Sequence, residues 1–326
     1  MGDRVMPKDY AVGADVSFLK WAQDNGTVFR DGGHAESGLQ IFRNHGYNWI
    51  RLRLFHNPTE LPNNLEYTIA LAKEARKLGY KFLLNYHYSD TWADPQQQTI
   101  PRAWQGMSHA ELVKAVFSYT RQTMEAFKNA GVAPDMVQPG NEITPGMLWP
   151  DGKLPENWAN FGELLKSATE GVAAGTDGGI SPKIMIHIDK GGDKVCTGRF
   201  FDELELHGVR YDVIGQSYYP WWHGTLEDLR ENLAFMAGRY HRDIIIVEAA
   251  YCWRPTEYLS ESSPYPETPD GQRQFLIDVD AVVRRTPEGR GKGVFWWEPA
   301  VRGRLRSRGF FDDDGNALPV VTAFDR

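Results

Sequence analysis

Two short stretches carry acids to the ends of apolar runs. In Asp135 to Trp149, DMVQPGNEITPGMLW, the apolar pair Met136-Val137 leads to a break at Pro139-Gly140, and Asn141 and Glu142 follow side by side. In Asp243 to Trp253, DIIIVEAAYCW, four apolar residues run into Glu248. An acid at the end of a buried strand, beside a loop rich in Gly, Pro and aromatic residues, adds little to packing. Two such glutamates suit the cleavage of a glycosidic bond. One carboxylate attacks carbon, and the other group delivers a proton to the leaving oxygen; in the retaining form they stand about 5 Å apart. The proton donor needs a raised pKa, which a neighbouring carboxylate and apolar rings supply. A strand cap or an arginine partner would explain either glutamate alone, but explains both, with Asn141 alongside, less well.

Positioning two acids across one mouth requires strands that end on the same side. Eight apolar runs are candidates: Ala11 to Phe18, Trp49 to Phe55, Lys81 to Tyr88, Met136 to Pro139, Lys183 to Ile188, Asp212 to Tyr219, Asp243 to Glu248 and Gly293 to Glu298. They are continuous rather than alternating, as parallel strands buried on both faces are. Amphipathic helical patterns lie between them. Leu65, Ile69, Ala72 and Leu78 share a face that Gly79 ends. Ser108 and Glu111 form a capping box ahead of Leu112, Val116 and Phe127. Leu226, Leu229, Leu233, Met236 and Tyr240 step by three and four. Eight strand–helix alternations predict an α/β fold, a (β/α)8 TIM barrel spanning residues 1–326 as a single domain. A doubly wound open sheet is the alternative, disfavoured by the lack of a Gly-rich turn after the first strand. Glu142 then ends the fourth strand and Glu248 the seventh, facing each other across the mouth. The long irregular stretches, Tyr88 to Gly106 and Trp253 to Gly271, follow strands and fall on that same face.

Composition narrows the partner. The net charge of −7, with no long basic run, argues against nucleic acid and anionic membranes. No run of ~18 uncharged apolar residues predicts a membrane span. The 11 Trp are an excess. Trp92, Trp104, Trp149, Trp221, Trp222 and Trp253 sit in loops, where a ring can stack on the apolar face of a sugar. The nine histidines include no His-x-His pair, so no metal site and no cofactor is expected. Cys196 and Cys252 are compatible with one disulfide that nothing requires. The first ten residues, MGDRVMPKDY, lack an apolar leader segment, which fits either an intracellular protein or one whose leader has been trimmed.

The sequence resembles glycoside hydrolase family 53, the endo-β-1,4-galactanases, within the clan of retaining barrel enzymes. The resemblance rests on GADVSFL (Gly13 to Leu19), NWIRLRLFHNP (Asn48 to Pro58), LNYHYSDTWADP (Leu84 to Pro95), QPGNEITPGMLWPDG (Gln138 to Gly152), HIDKGGD (His187 to Asp193), SYYPWWHGTLEDL (Ser217 to Leu229), VEAAYCW (Val247 to Trp253) and FWWEPA (Phe295 to Ala300). These blocks touch all eight strands. The resemblance implies Glu142 as acid/base, Glu248 as nucleophile, and Asn141 bonded to the 2-hydroxyl of the reacting sugar. It implies that Arg53, with Arg51 as the alternative, holds Glu248 ionised, that Tyr219 donates to Glu248, and that Trp297 floors the reacting subsite. His87, Asp189 and Trp92 are further expected sugar contacts. The implied substrate is β-1,4-linked galactan or a galacto-oligosaccharide, cut by a monomer outside the cytoplasm. Some bacterial members carry a calcium loop after the seventh strand. Here Thr256 to Gly271 lacks the spacing of an oxygen cage, and Asp312-Asp313-Asp314-Gly315 reads as a surface turn. EAAYCW departs from the family's usual seventh-strand ending, which leaves chain-length preference open. Other retaining glycosidases of the clan, including exo-acting ones, fit the same two glutamates. A non-catalytic sugar-binding barrel would need one of them lost.

Overall fold

Each of the eight apolar runs forms a strand. The computed structural model describes residues 9–179, 181–255, 264–301 and 307–325. Its barrel strands are β1 (Ala11–Asp15), β2 (Trp49–Leu54), β3 (Lys81–Tyr86), β4 (Met136–Pro139), β5 (Lys183–Ile188), β6 (Val213–Tyr218), β7 (Asp243–Ala249) and β8 (Gly291–Trp297). All pair in parallel with their neighbours in sequence, and β8 closes on β1. The fold is the (β/α)8 barrel; closure removes the open-sheet alternative.

The helices are α1 (Leu19–Asp24), α2 (Gly38–Asn44), α3 (Leu65–Lys77), α4 (His109–Asn129), α5 (Trp158–Gly175), α6 (Lys194–Leu206), α7 (Leu226–Tyr240) and α8 (Pro269–Arg284). Helices α2 to α8 bridge successive strands. The Ser108–Glu111 capping box starts α4 as expected, and Thr225 with Asp228 forms another at α7. Gly79, at φ 78°, follows the end of α3. A short hairpin, Phe29–Asp31 with His34–Glu36, sits between α1 and α2, and a 3-10 helix, Pro319–Phe324, lies near the end of the chain.

The barrel interior has two storeys. At the N-terminal end, Ala11, Trp49, Leu83, Met136, Met185, Val213, Ile245, Val247 and Phe295 pack together, drawing on every strand. Gly13 is needed there: a Cβ would stand 2.3 Å from the Phe295 ring. Above this plug the inward side chains turn polar. On β2 the alternation is direct: Trp49, Arg51 and Arg53 share one face, while Ile50, Leu52 and Leu54 join the outer core against the helices. Asp15, Asn85, Gln138, His187 and Ser217 are buried beside the two arginines, each on its own strand or just past the strand's last regular pair. Polar groups so buried must pair with one another.

Candidate active site

Strand ends deliver the two glutamates differently. After β4, Gly140 (φ 84°) turns the chain and Glu142 itself takes φ 47°. A non-glycine residue in that left-handed region costs roughly 1–3 kcal/mol, a strain typical of functional positions. On β7 the device is a bulge. Gln216 pairs with Ile246, but Ser217 pairs with Glu248, so Val247 is the extra residue. Consecutive residues of a regular strand face opposite ways. The bulge lets Val247 point into the apolar plug while Glu248, the next residue, lines the cleft above it.

That cleft is about 680 Å³ and opens at the C-terminal ends of the strands. Asn141, Glu142, Glu248, Arg53, His87, Trp92, Asp189, Tyr219 and Trp297, the residues singled out in the sequence, all line it. Glu248 is held from two sides: Arg51 Nη1 donates to Oε1 at 2.7 Å, and the Tyr219 hydroxyl donates to Oε2 at 2.8 Å. Burial, then the charges of Glu248 and Glu142, keeps the Tyr219 phenol well above its ordinary pKa, so it remains a donor. Glu142 accepts from the Ser217 hydroxyl at 2.6 Å. Burial pushes its pKa well above the usual carboxylate range, and the negative charges of Glu248 and Asp189 add to the rise. The Ser217 hydrogen bond and Arg51 pull the other way with less effect. Glu142 therefore keeps its proton to higher pH than an ordinary carboxyl does, while Glu248 across from it is paired with a guanidinium.

Arg53 does not hold Glu248. It donates to Asp15 at 3.3 Å, pairs with Glu298, and packs its guanidinium 4.5 Å from the Trp92 ring centre and 4.8 Å from that of Phe18. Arg51, one rung lower and in register with Asp15, reaches Glu248 instead. The same guanidinium donates to Asp15 at 3.0 Å, Asn141 at 2.8 Å and Gln138 at 3.2 Å. Asn141 Oδ1 also accepts from Asn85, and its Nδ2 donates to the Ala93 carbonyl at 2.8 Å, leaving one amide hydrogen for a ligand hydroxyl. His87 Nδ1 accepts the Ala93 N–H at 2.9 Å, so the proton of the neutral ring sits on Nε2. Asp189 accepts from Thr144 at 2.5 Å and pairs with Lys190 at 3.0 Å.

Of the loop tryptophans, Trp92 and Trp222 line the cleft. Trp104 does not fit the sugar-platform expectation: it is 5% exposed, wedged against His56 and Tyr119. Trp221 stacks on Tyr251, Trp149 donates to the Pro145 carbonyl, and Trp253 lies under Arg254. Cys196 and Cys252 are not joined in a disulfide with each other. Asp312 closes the Asp312–Gly315 turn on itself, accepting the N–H groups of Asp314 and Asn316 at 2.9 and 2.8 Å. Among the described residues no cluster of three His, Cys, Asp or Glu could hold a metal. Residues 256–263 of the loop compared with a calcium loop lie outside the described residues, as do residues 1–8 of the N-terminal segment.

Sequence reasoning assigned no role to Asp15, Gln138, His187 or Ser217. The signal was there, since each is a polar residue within or at the end of an otherwise apolar strand.

A closed barrel whose mouth pairs a proton-holding carboxyl from β4 with an arginine-held carboxylate from β7 defines a glycoside hydrolase of the two-carboxylate kind. Comparison with known proteins agrees. The chain belongs to glycosyl hydrolase family 53, whose sequence profile matches residues 11–324. It is 42% identical to an uncharacterized Niallia circulans protein from the bgaB 5' region, over 89% of this chain and 84% of that one. It is 34% identical to the arabinogalactan endo-beta-1,4-galactanase of Thermothelomyces thermophilus, over 96% of this chain and 98% of that protein. The solved family 53 catalytic domain of Ignisphaera aggregans superposes with a TM-score of 0.92 at 32% identity, covering 98% of this chain and 97% of that one.

Proposed function

We propose that this enzyme is a retaining, endo-acting β-1,4-galactan hydrolase that cuts pectic or arabinogalactan side chains. The observation that carries the reading is the unequal pair: Glu248 fixed between Arg51 and Tyr219, and Glu142 holding a proton through burial and the charge of Glu248. The galactan substrate rests on the relatives named as arabinogalactan endo-beta-1,4-galactanases.

Glu248 attacks the anomeric carbon as the glycosidic C–O bond breaks, and Glu142 gives its proton to the departing oxygen. The sugar is then esterified to Glu248. Water, deprotonated by Glu142, attacks the same carbon, frees the carboxylate and returns the proton to Glu142. Asn141 offers its remaining amide hydrogen to the 2-hydroxyl, and Trp297 and Trp92 present rings to the sugar. No cofactor enters the reaction. We take the chain to act as a monomer outside the cytoplasm, where a polymeric substrate would be met.

Glu248→Gln should keep the fold and abolish turnover; activity near the parental level would remove the nucleophile assignment. Linear β-1,4-galactan, mannan and cellulose, tested side by side, decide the substrate. Proton NMR of the first products decides the stereochemistry, β-configured products being expected.

A further inference from the structure

Behind Glu142 lies a chain of hydrogen bonds that fixes the direction of its last link. Arg51 Nε, which can only donate, faces Gln138 Oε1 at 3.2 Å. This fixes the Gln138 amide, whose Nε2 can only donate and shares its two hydrogens among Asn85 Oδ1 at 2.7 Å, the Gly140 carbonyl at 2.9 Å, His187 Nδ1 at 3.1 Å and Asn141 Oδ1 at 3.3 Å. The backbone N–H of Glu142 also points at His187 Nδ1, at 3.4 Å. Nδ1 therefore meets donor atoms only, the Gln138 amide nitrogen and the Glu142 N–H, and with no acceptor beside it carries no hydrogen. The ring proton therefore sits on Nε2, 2.8 Å from Ser217 Oγ. Ser217 accepts from His187, so its single hydrogen goes to Glu142 Oε1 at 2.6 Å.

We infer that Ser217, oriented by His187, is a positioning residue that fixes which oxygen of Glu142 carries the catalytic proton. Oε1 is committed as an acceptor, and the proton stands on Oε2. The acid thus enters each turnover with its proton already on one defined oxygen, with no rotation of the carboxyl group needed. In the second step the same arrangement leaves Oε2 as the oxygen that takes a proton from water. His187 keeps its role across the working pH range. Burial, then the charges of Arg51, His87 and His223, holds it well below the ordinary histidine pKa, and a second ring proton, on Nδ1, would face donors with no acceptor. The inference rests on Glu142 being the acid, as proposed above.

Besides His187, the charged and titratable groups around Glu142 include Glu248 on β7, Asp189 beyond β5, Arg51 on β2 and Tyr219 beyond β6. A hydroxyl donating to a carboxylate favours the ionised form. Removing it should raise the pKa of Glu142 further.

The test compares kcat/KM for an unactivated β-1,4-galacto-oligosaccharide with that for 2,4-dinitrophenyl β-1,4-galactobioside, whose leaving group needs no proton. In Ser217→Ala the first should fall about ten- to hundredfold, inside the share that general acid catalysis supplies, while the second stays near the parental value. The basic limb of the pH profile should move to higher pH as the rate falls, a pairing that general damage to the fold does not produce. Ser217→Thr keeps a hydroxyl and should restore the parental ratio. Equal losses on both substrates in a Ser217→Ala protein that melts normally, with the basic limb unmoved, would overturn the inference. Glu142→Ala is the control for the reading beneath it. It should spare kcat/KM on the activated substrate, and if it slows both alike the acid assignment itself falls.

Discussion

Arg51 ties the two carboxylates into one unit. Its guanidinium bonds Glu248, Asp15, Asn141 and Gln138, and through Gln138, His187 and Ser217 it reaches Glu142. Lysine carries the charge but has no planar fork to span those acceptors. Arg51→Lys should therefore fold, yet lose kcat on the order of a hundredfold, as for removal of one preorganised donor; steady-state kinetics with a parallel melting curve checks both. The pH profile follows from Glu142. Its folded pKa lies above the ordinary value because of burial, then Glu248, then Asp189. The catalytic proton is lost as pH rises through that elevated value, so kcat/KM should fall on the alkaline side. The pH dependence of kcat should differ, because esterified Glu248 has no charge and one of the influences holding the proton on Glu142 is gone. The sequence showed both glutamates and Asn141, because acids after apolar runs are conspicuous. It could not separate Arg51 from Arg53: residues two apart share a strand face, and only the rung reached by Glu248 distinguishes them. His187 and Ser217 escaped for a related reason, since their function lies in which neighbours they meet across the barrel.

The elements were legible because each had a clear period or a continuous apolar run. Their ends were less so. The run from Ala11 predicted a strand to Phe18, but pairing stops at Asp15, where the Ser17 hydroxyl and N–H turn back onto the Asp15 carboxylate. The β7 bulge was invisible, as Val247 and Glu248 read as an ordinary strand ending. Helix packing holds another feature that composition hides. Gly171, in the middle of α5, lies against α4: a Cβ would stand 2.8 Å from the Phe117 carbonyl oxygen and 2.8 Å from Thr120 Cβ. In an open helix Gly→Ala would stabilise by about 1 kcal/mol. Here backbone must move, and overpacking of this kind costs about 1–3 kcal/mol. Gly171→Ala should therefore lower the melting temperature, and Gly238→Ala on α7, where nothing stands within 4 Å, should not.

Across the whole molecule, His45 links distant parts of the chain. Its Nε2 meets Asp31 of the hairpin at 2.9 Å and its Nδ1 meets Asp325 at 2.6 Å, just past the 3-10 helix. Burial alone would lower its pKa, but hydrogen bonds to Asp31 and Asp325, with both charges, hold it above the ordinary value. A raised histidine pKa contributes stability below the unfolded value, near 6.5, and that contribution is lost as pH rises through the folded value. The gap in melting temperature between the parent and His45→Gln should be wide in mildly acidic buffer and narrow toward alkaline pH; a gap constant with pH would refute this. The barrel itself links still more distant residues. Trp297 on the last strand stands in register with Asp15 on the first, and Asp15 bonds both arginines. No contiguous fragment of the chain owns a working centre. During refolding, returning turnover should lag behind helix formation and report the moment the ring of strands shuts.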